Sequence, residues 1–153
     1  MMKKLLFFLL FPCALFAQFE EVDWEHGHPE GLVFHEVIEA TNGFIVSVGE
    51  TKSISKQKQD GLVVIRDFTN GTIIKQKTFG GSGNDILKSV VQTYEGYFIL
   101  AGYSDDEWGK GKKDGWLIKI NEQGDIIWRD FYGTPENDEF HKIKLYLWTG
   151  NKQ

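Results

Sequence analysis

Self-similarity at a fixed spacing constrains this chain more than any other feature, because a unit that recurs has to pack the same way each time. Residues 37–50, VIEATNGFIVSVGE, align with residues 90–103, VVQTYEGYFILAGY, so that Val37, Gly43 and Gly49 meet Val90, Gly96 and Gly102 at an offset of 53. Residues 70–85, NGTIIKQKTFGGSGND, fall on residues 123–138, QGDIIWRDFYGTPEND, at the same offset. Between these blocks Asp60-Gly61 meets Asp114-Gly115 at an offset of 54. The first copy therefore holds one extra residue between Asp60 and Gly71, as a β-bulge or a longer turn requires. Partial copies flank the whole ones: WEHGHPEG (24–31) takes the place of KTFGGSGN (77–84), and FHKI (140–143) echoes FHEV (34–37).

Each unit reads as four short strands. In the second copy these are strand a over Lys88–Thr93, strand b over Tyr97–Tyr103, strand c over Gly115–Ile120 and strand d over Ile126–Tyr132. Glu95-Gly96 and the stretch Glu122–Gly124 supply its tight turns, and Asn42-Gly43 and Asn70-Gly71 are typical hairpin pairs of the first copy, since positive φ is cheap only for glycine. Strands b and c, YFILAGY and WLIKI, are apolar in runs rather than strictly alternating, which predicts cover on both faces. A four-stranded antiparallel unit of about 50 residues, buried on both sides by its neighbours, describes a propeller blade. The predicted fold class is all-β: tandem four-stranded antiparallel propeller-type blades, two of them complete, behind an N-terminal signal helix.

The second copy carries Ser89-Val90, Thr93, Gly96, Ala101-Gly102, Asp114, Trp116-Leu117, Lys119, Gly124 and Trp128. In this it resembles secreted bacterial β-propeller repeat proteins, whose unit runs S-V-x-x-T-x-x-G-x-x-x-x-A-G, then D-x-W-L-x-K-x-x-x-x-G-x-x-x-W, then G-G-x-x-x-D. The resemblance covers residues 20–143 and is best over 77–133. It implies an exported, often multi-domain protein attached to the cell surface, in a family where most molecular activities are undefined. The first copy departs from the pattern with Leu62 and Lys75 in the places of Trp116 and Trp128, and the third copy breaks down after Ile143.

Residues 1–17, MMKKLLFFLLFPCALFA, read as a signal peptide: Lys3 and Lys4 precede an apolar stretch, Leu5 to Phe11, too short to span a bilayer, and Ala17 is a small residue at the cleavage point. Mature protein then begins near Gln18. Lipid anchoring at Cys13, the only cysteine, is the less favoured alternative because Pro12 stands where a small residue normally precedes such a cysteine. Ordinary cleavage leaves no thiol and no disulfide. It also leaves 15 of the 17 basic side chains against 22 acidic ones, a net charge of about −7. Neither nucleic acid nor an anionic membrane is attracted to such a chain without a basic stripe.

The repeat divides the mature chain into a partial blade over 18–33 (a last strand and link), repeat 1 over 34–85, repeat 2 over 86–138 and the start of a truncated third repeat over 139–153. A closed ring of four such units needs about 212 residues, more than the 136 that follow the leader. The expectation is therefore a truncated product, a piece of a longer gene, or a unit that assembles with other chains. An open stack exposes blade faces bearing residues such as Trp116 and Trp128, which favours self-association.

Several side-chain groups invite a chemical reading. The stretch GGSGNDILK (80–88) matches the calcium-binding nonapeptide of β-rolls, but the next nine residues, SVVQTYEGY, do not continue it, and such sites need the motif in tandem. Its Asn84-Asp85 recurs as Asn137-Asp138 and is better read as a turn joining one blade to the next. His26 and His28, with Glu25, Glu30 and His35 nearby, could face one metal from a strand, yet a packed or solvated role is the simpler account. Asp105, Asp106, Glu107 and Asp114 are oxygen donors that suit calcium, but the equivalent loop, TKSISKQKQD, is basic and keeps only Asp60. Asp60 and Asp114 are accordingly expected to cap the start of strand c by local hydrogen bonds. Asn70-Gly71-Thr72 is a glycosylation sequon that its turn already explains. Glu136 and Asp138 form a pair too common to signal glycosidase chemistry.

No catalytic, cofactor-binding or metal residue is assigned, and no cofactor is expected. Links from strand d to the next strand a (80–86, 133–139) and b–c loops (50–59, 104–113) should share one rim, where any ligand would bind. The expected function is an exported, non-catalytic binding or scaffold module at or beyond the cell surface, with a protein or glycan as partner. The alternatives are a piece of a propeller enzyme, quinoprotein-like or glycan-degrading, and a truncated product without independent function.

Overall fold

The computed structural model describes residues 31–52, 58–107 and 109–146. The expected leader over 1–17, most of the partial blade over 18–33, and the histidines His26 and His28 lie outside the described residues. Eight strands follow one another: β1 (Leu32–Glu39), β2 (Phe44–Lys52), β3 (Gln59–Asp67), β4 (Ile73–Phe79), β5 (Asp85–Gln92), β6 (Phe98–Ser104), β7 (Asp114–Ile120) and β8 (Ile126–Tyr132). They form two antiparallel sheets, β1-β2-β3-β4 and β5-β6-β7-β8, which do not close on one another. The protein is all-β, and no helix among the described residues is long and apolar enough to cross a membrane. β1 begins two residues inside the stretch assigned to the partial blade, and β5 begins at Asp85 rather than Lys88, because Asp85 pairs with Ser104.

The turns explain where the strands stop. Gly43, Gly71, Gly96 and Gly124 all have φ between 70° and 88°, which lets each hairpin reverse without a Cβ clash. The extra residue of the first copy sits in the β3–β4 turn. There Gly71 N–H donates to the carbonyl of Asp67, four residues back, whereas Gly124 N–H donates to Asn121, three back. Asp67 Oδ1 fills the wider turn by accepting from Thr69 N (2.8 Å) and Asn70 N (3.2 Å). A register shift occurs in both copies, at Ile65/Arg66 and at Lys119/Ile120, so a bulge does not account for the difference.

One core lies between the sheets. Val46, Val48, Val63 and Ile65 of the first sheet pack with Leu87, Val90, Phe98, Leu100, Trp116, Ile118 and Ile120 of the second. Trp116 does not lie on an exposed blade face as expected beside Trp128: its strand position turns it toward the first sheet, where it is fully buried and stacks on Phe131, with ring centroids 5.9 Å apart and planes 5° from parallel. Full burial of each large apolar side chain contributes about 1.5–3 kcal/mol. Leu62 and Val64, on the opposite face of the first sheet, are buried too, so β3 is covered on both faces, whereas β6 and β7, for which the apolar runs predict such cover, keep Ile99, Leu117 and Lys119 only half-buried on the face turned from the first sheet. Polar contacts fix the same stacking at the turn end: Thr41 N donates to Gln92 Oε1 (2.8 Å), Asn42 Nδ2 to Glu122 Oε1 (2.8 Å), and Lys77 pairs with Asp125 (2.6 Å).

Candidate functional site

The rim opposite those turns gathers the acidic side chains that the sequence singles out. β6 ends at Ser104, so the loop after it carries Asp105 and Asp106 against the link 80–84 that follows β4. Asp106 Oδ1 accepts from Ser82 N (2.6 Å), Ser82 Oγ (2.9 Å) and Gly83 N (2.7 Å). Asp105 accepts from the backbone and side-chain nitrogens of Asn84, the latter at 2.8 Å. The nonapeptide-like link thus turns amide donors toward carboxylates, an arrangement that cradles an anion. Its anion is a side chain of the neighbouring loop.

The link-closing hydrogen bond recurs with the sequence. Gly81 N donates to Asp85 Oδ2 (2.9 Å), and 53 residues on Thr134 N donates to Asp138 Oδ2 (2.7 Å), with Thr134 Oγ1 adding a second bond (2.8 Å). The aspartate of each Asn-Asp pair closes its link, while Asn84 reaches across to Asp105 instead. A glycine opens each link because the aspartates crowd it: a Cβ on Gly80 would lie 2.6 Å from both Asp60 Oδ1 and Asp85 Oδ2, and one on Gly133 would lie 2.1 Å from Asp114 Oδ1. Asp114 also caps the approach to β7, accepting from Lys110 N (2.8 Å) and Gly111 N (3.0 Å).

These roles set the electrostatics. Asp85 is buried, and burial holds its carboxyl above the ordinary aspartate range; Ser104 and Gly81 pull it down by hydrogen bonding, while Asp106 and Asp60 push it up. Exposed Asp138 goes the other way, lowered by the Thr134 bonds. With Asp85 raised, the folded chain binds a proton that the unfolded chain has already released, so this group's stabilisation is complete below the ordinary aspartate value and is lost as pH climbs through the raised one. Asp85→Asn keeps an acceptor for Gly81 N and removes the charge. The stability of the variant relative to the parent is expected to rise with pH across that window in urea titrations; a parallel pair of curves would show that Asp85 is not the group responsible.

The remaining candidates are dispersed. His35 Nε2, on β1, lies 3.1 Å from Glu50 Oε2 and 3.0 Å from Lys88 Nζ, a polar cluster and not a ligand set. Glu136 pairs with exposed Lys112 (3.3 Å) while Asp138 is held by Thr134, so the two serve separate contacts. Asn70 closes its turn by accepting from Thr72 N (2.9 Å). Among the described residues no three His, Cys, Asp or Glu side chains are grouped to hold a metal ion. Two open clefts of about 400 Å³ flank the junction of the sheets. One lies on the acidic rim beside Val33, Glu50, Gln59 and Asn84, and the other at the turn end beside Ile38, Thr41, Val90 and Leu145.

Sequence reasoning missed Glu36. From β1 it reaches the second sheet, accepting from Ser89 Oγ (2.5 Å) and Val90 N (2.8 Å), and it pairs with Lys142. The second copy has Ser89 at this position, and Ile143 N donates to its Oγ (3.1 Å), the same contact one unit later. Only the recurrence of the partner, not of the residue type, could have revealed it. Comparison with protein-family models and with curated proteins gives no match.

Proposed function

We propose that the chain is an exported, non-catalytic repeat protein whose two sheets are successive propeller-type blades, acting as a binding or scaffold module at or beyond the cell surface. The observation that carries this reading is one packing step made twice. Leu87 approaches Gly61 so closely that a Cβ there would lie 2.9 Å from its side chain, and Phe140 approaches Gly115 in the same way, at 2.7 Å. Val90 N on Glu36 and Ile143 N on Ser89 repeat at the same offset of 53. Units stacked by a constant step are what a propeller or a linear array requires. The rim supports a binding role because its b–c loops differ in charge between copies, TKSISKQKQD against SDDEWGKGKKD, on sheets of the same pattern. Protein or glycan at the cell surface is the partner this suits.

Export and catalysis are tested together by fractionating cells that express the chain and assaying the recovered protein against surface polysaccharides and proteins. The expected result is a protein outside the cytoplasm, shortened by about 17 residues, that binds without turnover. Retention in the cytoplasm with the leader intact would overturn export. Hydrolytic or redox turnover that disappears in Glu136→Gln would overturn the non-catalytic reading.

A further inference from the structure

His35 and Lys88 hold the same place in the two copies, and that place is a β-bulge. On β1, Phe34 pairs with Gly49 and Glu36 with Val48, which leaves His35 unpaired; on β5, Leu87 pairs with Gly102 and Ser89 with Ala101, which leaves Lys88 unpaired. A bulge re-aims the side chain of its extra residue. Here the two extra residues are aimed at one another across the junction of the sheets, with His35 Nε2 3.0 Å from Lys88 Nζ.

The same imidazole nitrogen lies 3.1 Å from Glu50 Oε2, on β2 of its own sheet. Glu50 is anchored from β3 by Gln59 Nε2, which donates to its other carboxylate oxygen (2.9 Å). Behind Lys88 stands the ring of Tyr103 on β6, 5.9 Å from Lys88 Nζ and 4.3 Å from Lys113 Nζ, and Lys113 pairs with Glu139 (2.9 Å). Among the described residues, then, the groups of changeable charge around the imidazole are Glu50 and Lys88, with Tyr103, Lys113 and Glu139 beyond them.

The two contacts of Nε2 exclude each other. An ammonium only donates, so Lys88 needs a bare lone pair on Nε2, as in the neutral imidazole with its proton on Nδ1. A carboxylate only accepts, so Glu50 needs a proton on Nε2. Imidazole is the ordinary side chain that changes charge between about pH 5 and 8. Once doubly protonated it donates to Glu50 and meets the Lys88 ammonium as a like charge.

We propose that His35 is a proton-operated latch between the two sheets. Neutral, it accepts from Lys88 and ties β1 to β5; protonated, it gives its hydrogen bond to Glu50 within the first sheet and repels Lys88, so the junction loosens in acid. The second sheet carries Lys88 and Tyr103 in the places of His35 and Glu50, so the alternative carboxylate is missing there. The inference goes beyond the binding role above and stands or falls without it.

Long-range proton–nitrogen NMR spectra of the full chain read the tautomer directly, with His35→Phe identifying the signal. At about pH 8 the parent is expected to carry the proton on Nδ1, and Lys88→Met, which keeps the stem and removes the ammonium, should move it to Nε2. A double-mutant cycle of His35→Phe and Lys88→Met in urea measures the coupling of the pair. A contribution of about two- to tenfold to the folding equilibrium constant at about pH 8, the range of one net hydrogen bond, should vanish or reverse at about pH 5.5. Asp85 is common to all four proteins of the cycle, so its own pH dependence cancels. A parent with the proton on Nε2 at about pH 8, a tautomer indifferent to Lys88→Met, or a coupling equal at both pH values would each overturn the proposal. The first of these is read on the parent and does not depend on any variant folding.

Discussion

Trp116→Ala is expected to destabilise the chain by about 3–5 kcal/mol, read as a shift of the urea midpoint by circular dichroism. Trp116 is fully buried at the middle of β7, stacked on Phe131 and surrounded by the core shared between the sheets. Its removal leaves a cavity that two sheets fixed by backbone pairing cannot collapse to fill. Against a total of roughly 5–15 kcal/mol for an ordinary domain, the variant would be marginal or unfolded at 37 °C. Trp128→Ala, at the equivalent of Lys75 on the other face, is expected to cost no more than about 1 kcal/mol, as for exposed positions generally. If the order of the two were reversed, the assignment of inner and outer faces to the second sheet would be wrong.

Gly102→Ala should be comparably damaging for a different reason. A Cβ at Gly102 would stand 1.8 Å from the carbonyl oxygen of Ile86 and 2.9 Å from the Cα of Leu87, both backbone atoms of the paired strand. No rotamer change relieves such a contact. β5 and β6 must separate at the bulge between Leu87 and Ser89, at a cost of about 3 kcal/mol or more. Gly49→Ala, 53 residues earlier, meets the carbonyl of Val33 at the same 1.8 Å and should behave alike. Gly43→Ala is the control: nothing lies within 4 Å of its Cβ, and only its φ of +79° is unfavourable, worth about 1–2 kcal/mol. Thermal unfolding of the three variants ranks them, and a Gly102→Ala no worse than Gly43→Ala would contradict the close strand approach.

The Gly49/Gly102 recurrence was legible in the sequence, but its cause was not. Periodicity and turn chemistry located strand d at Ile126–Tyr132 and the turn glycines without error, because hairpin geometry is decided within a few residues. The start of β5 was placed three residues late, since Asp85 looks like a turn residue and joins the strand only through its pairing with Ser104. The recurrence of Asn-Asp points to a link-closing pair, of which the aspartate makes the closing bond, and the cap expected of Asp114 is present. That Asp105 and Asp106 would be held by the preceding link was beyond reach. Their donors lie 21–24 residues away and belong to the other side of the sheet junction.

By itself, then, the sequence determined the all-β character, the hairpin turns and the glycines that open each link. Local backbone preference and short apolar runs bounded by turn residues are enough for that. Only the tertiary structure decided which face of each sheet is covered, that Asp106 satisfies the amides of an apparent metal motif, and that Glu36 and Ser89 do the same work one unit apart. Those partners are chosen by how one sheet lies on the next. That choice depends on contacts tens of residues apart, which no local pattern encodes.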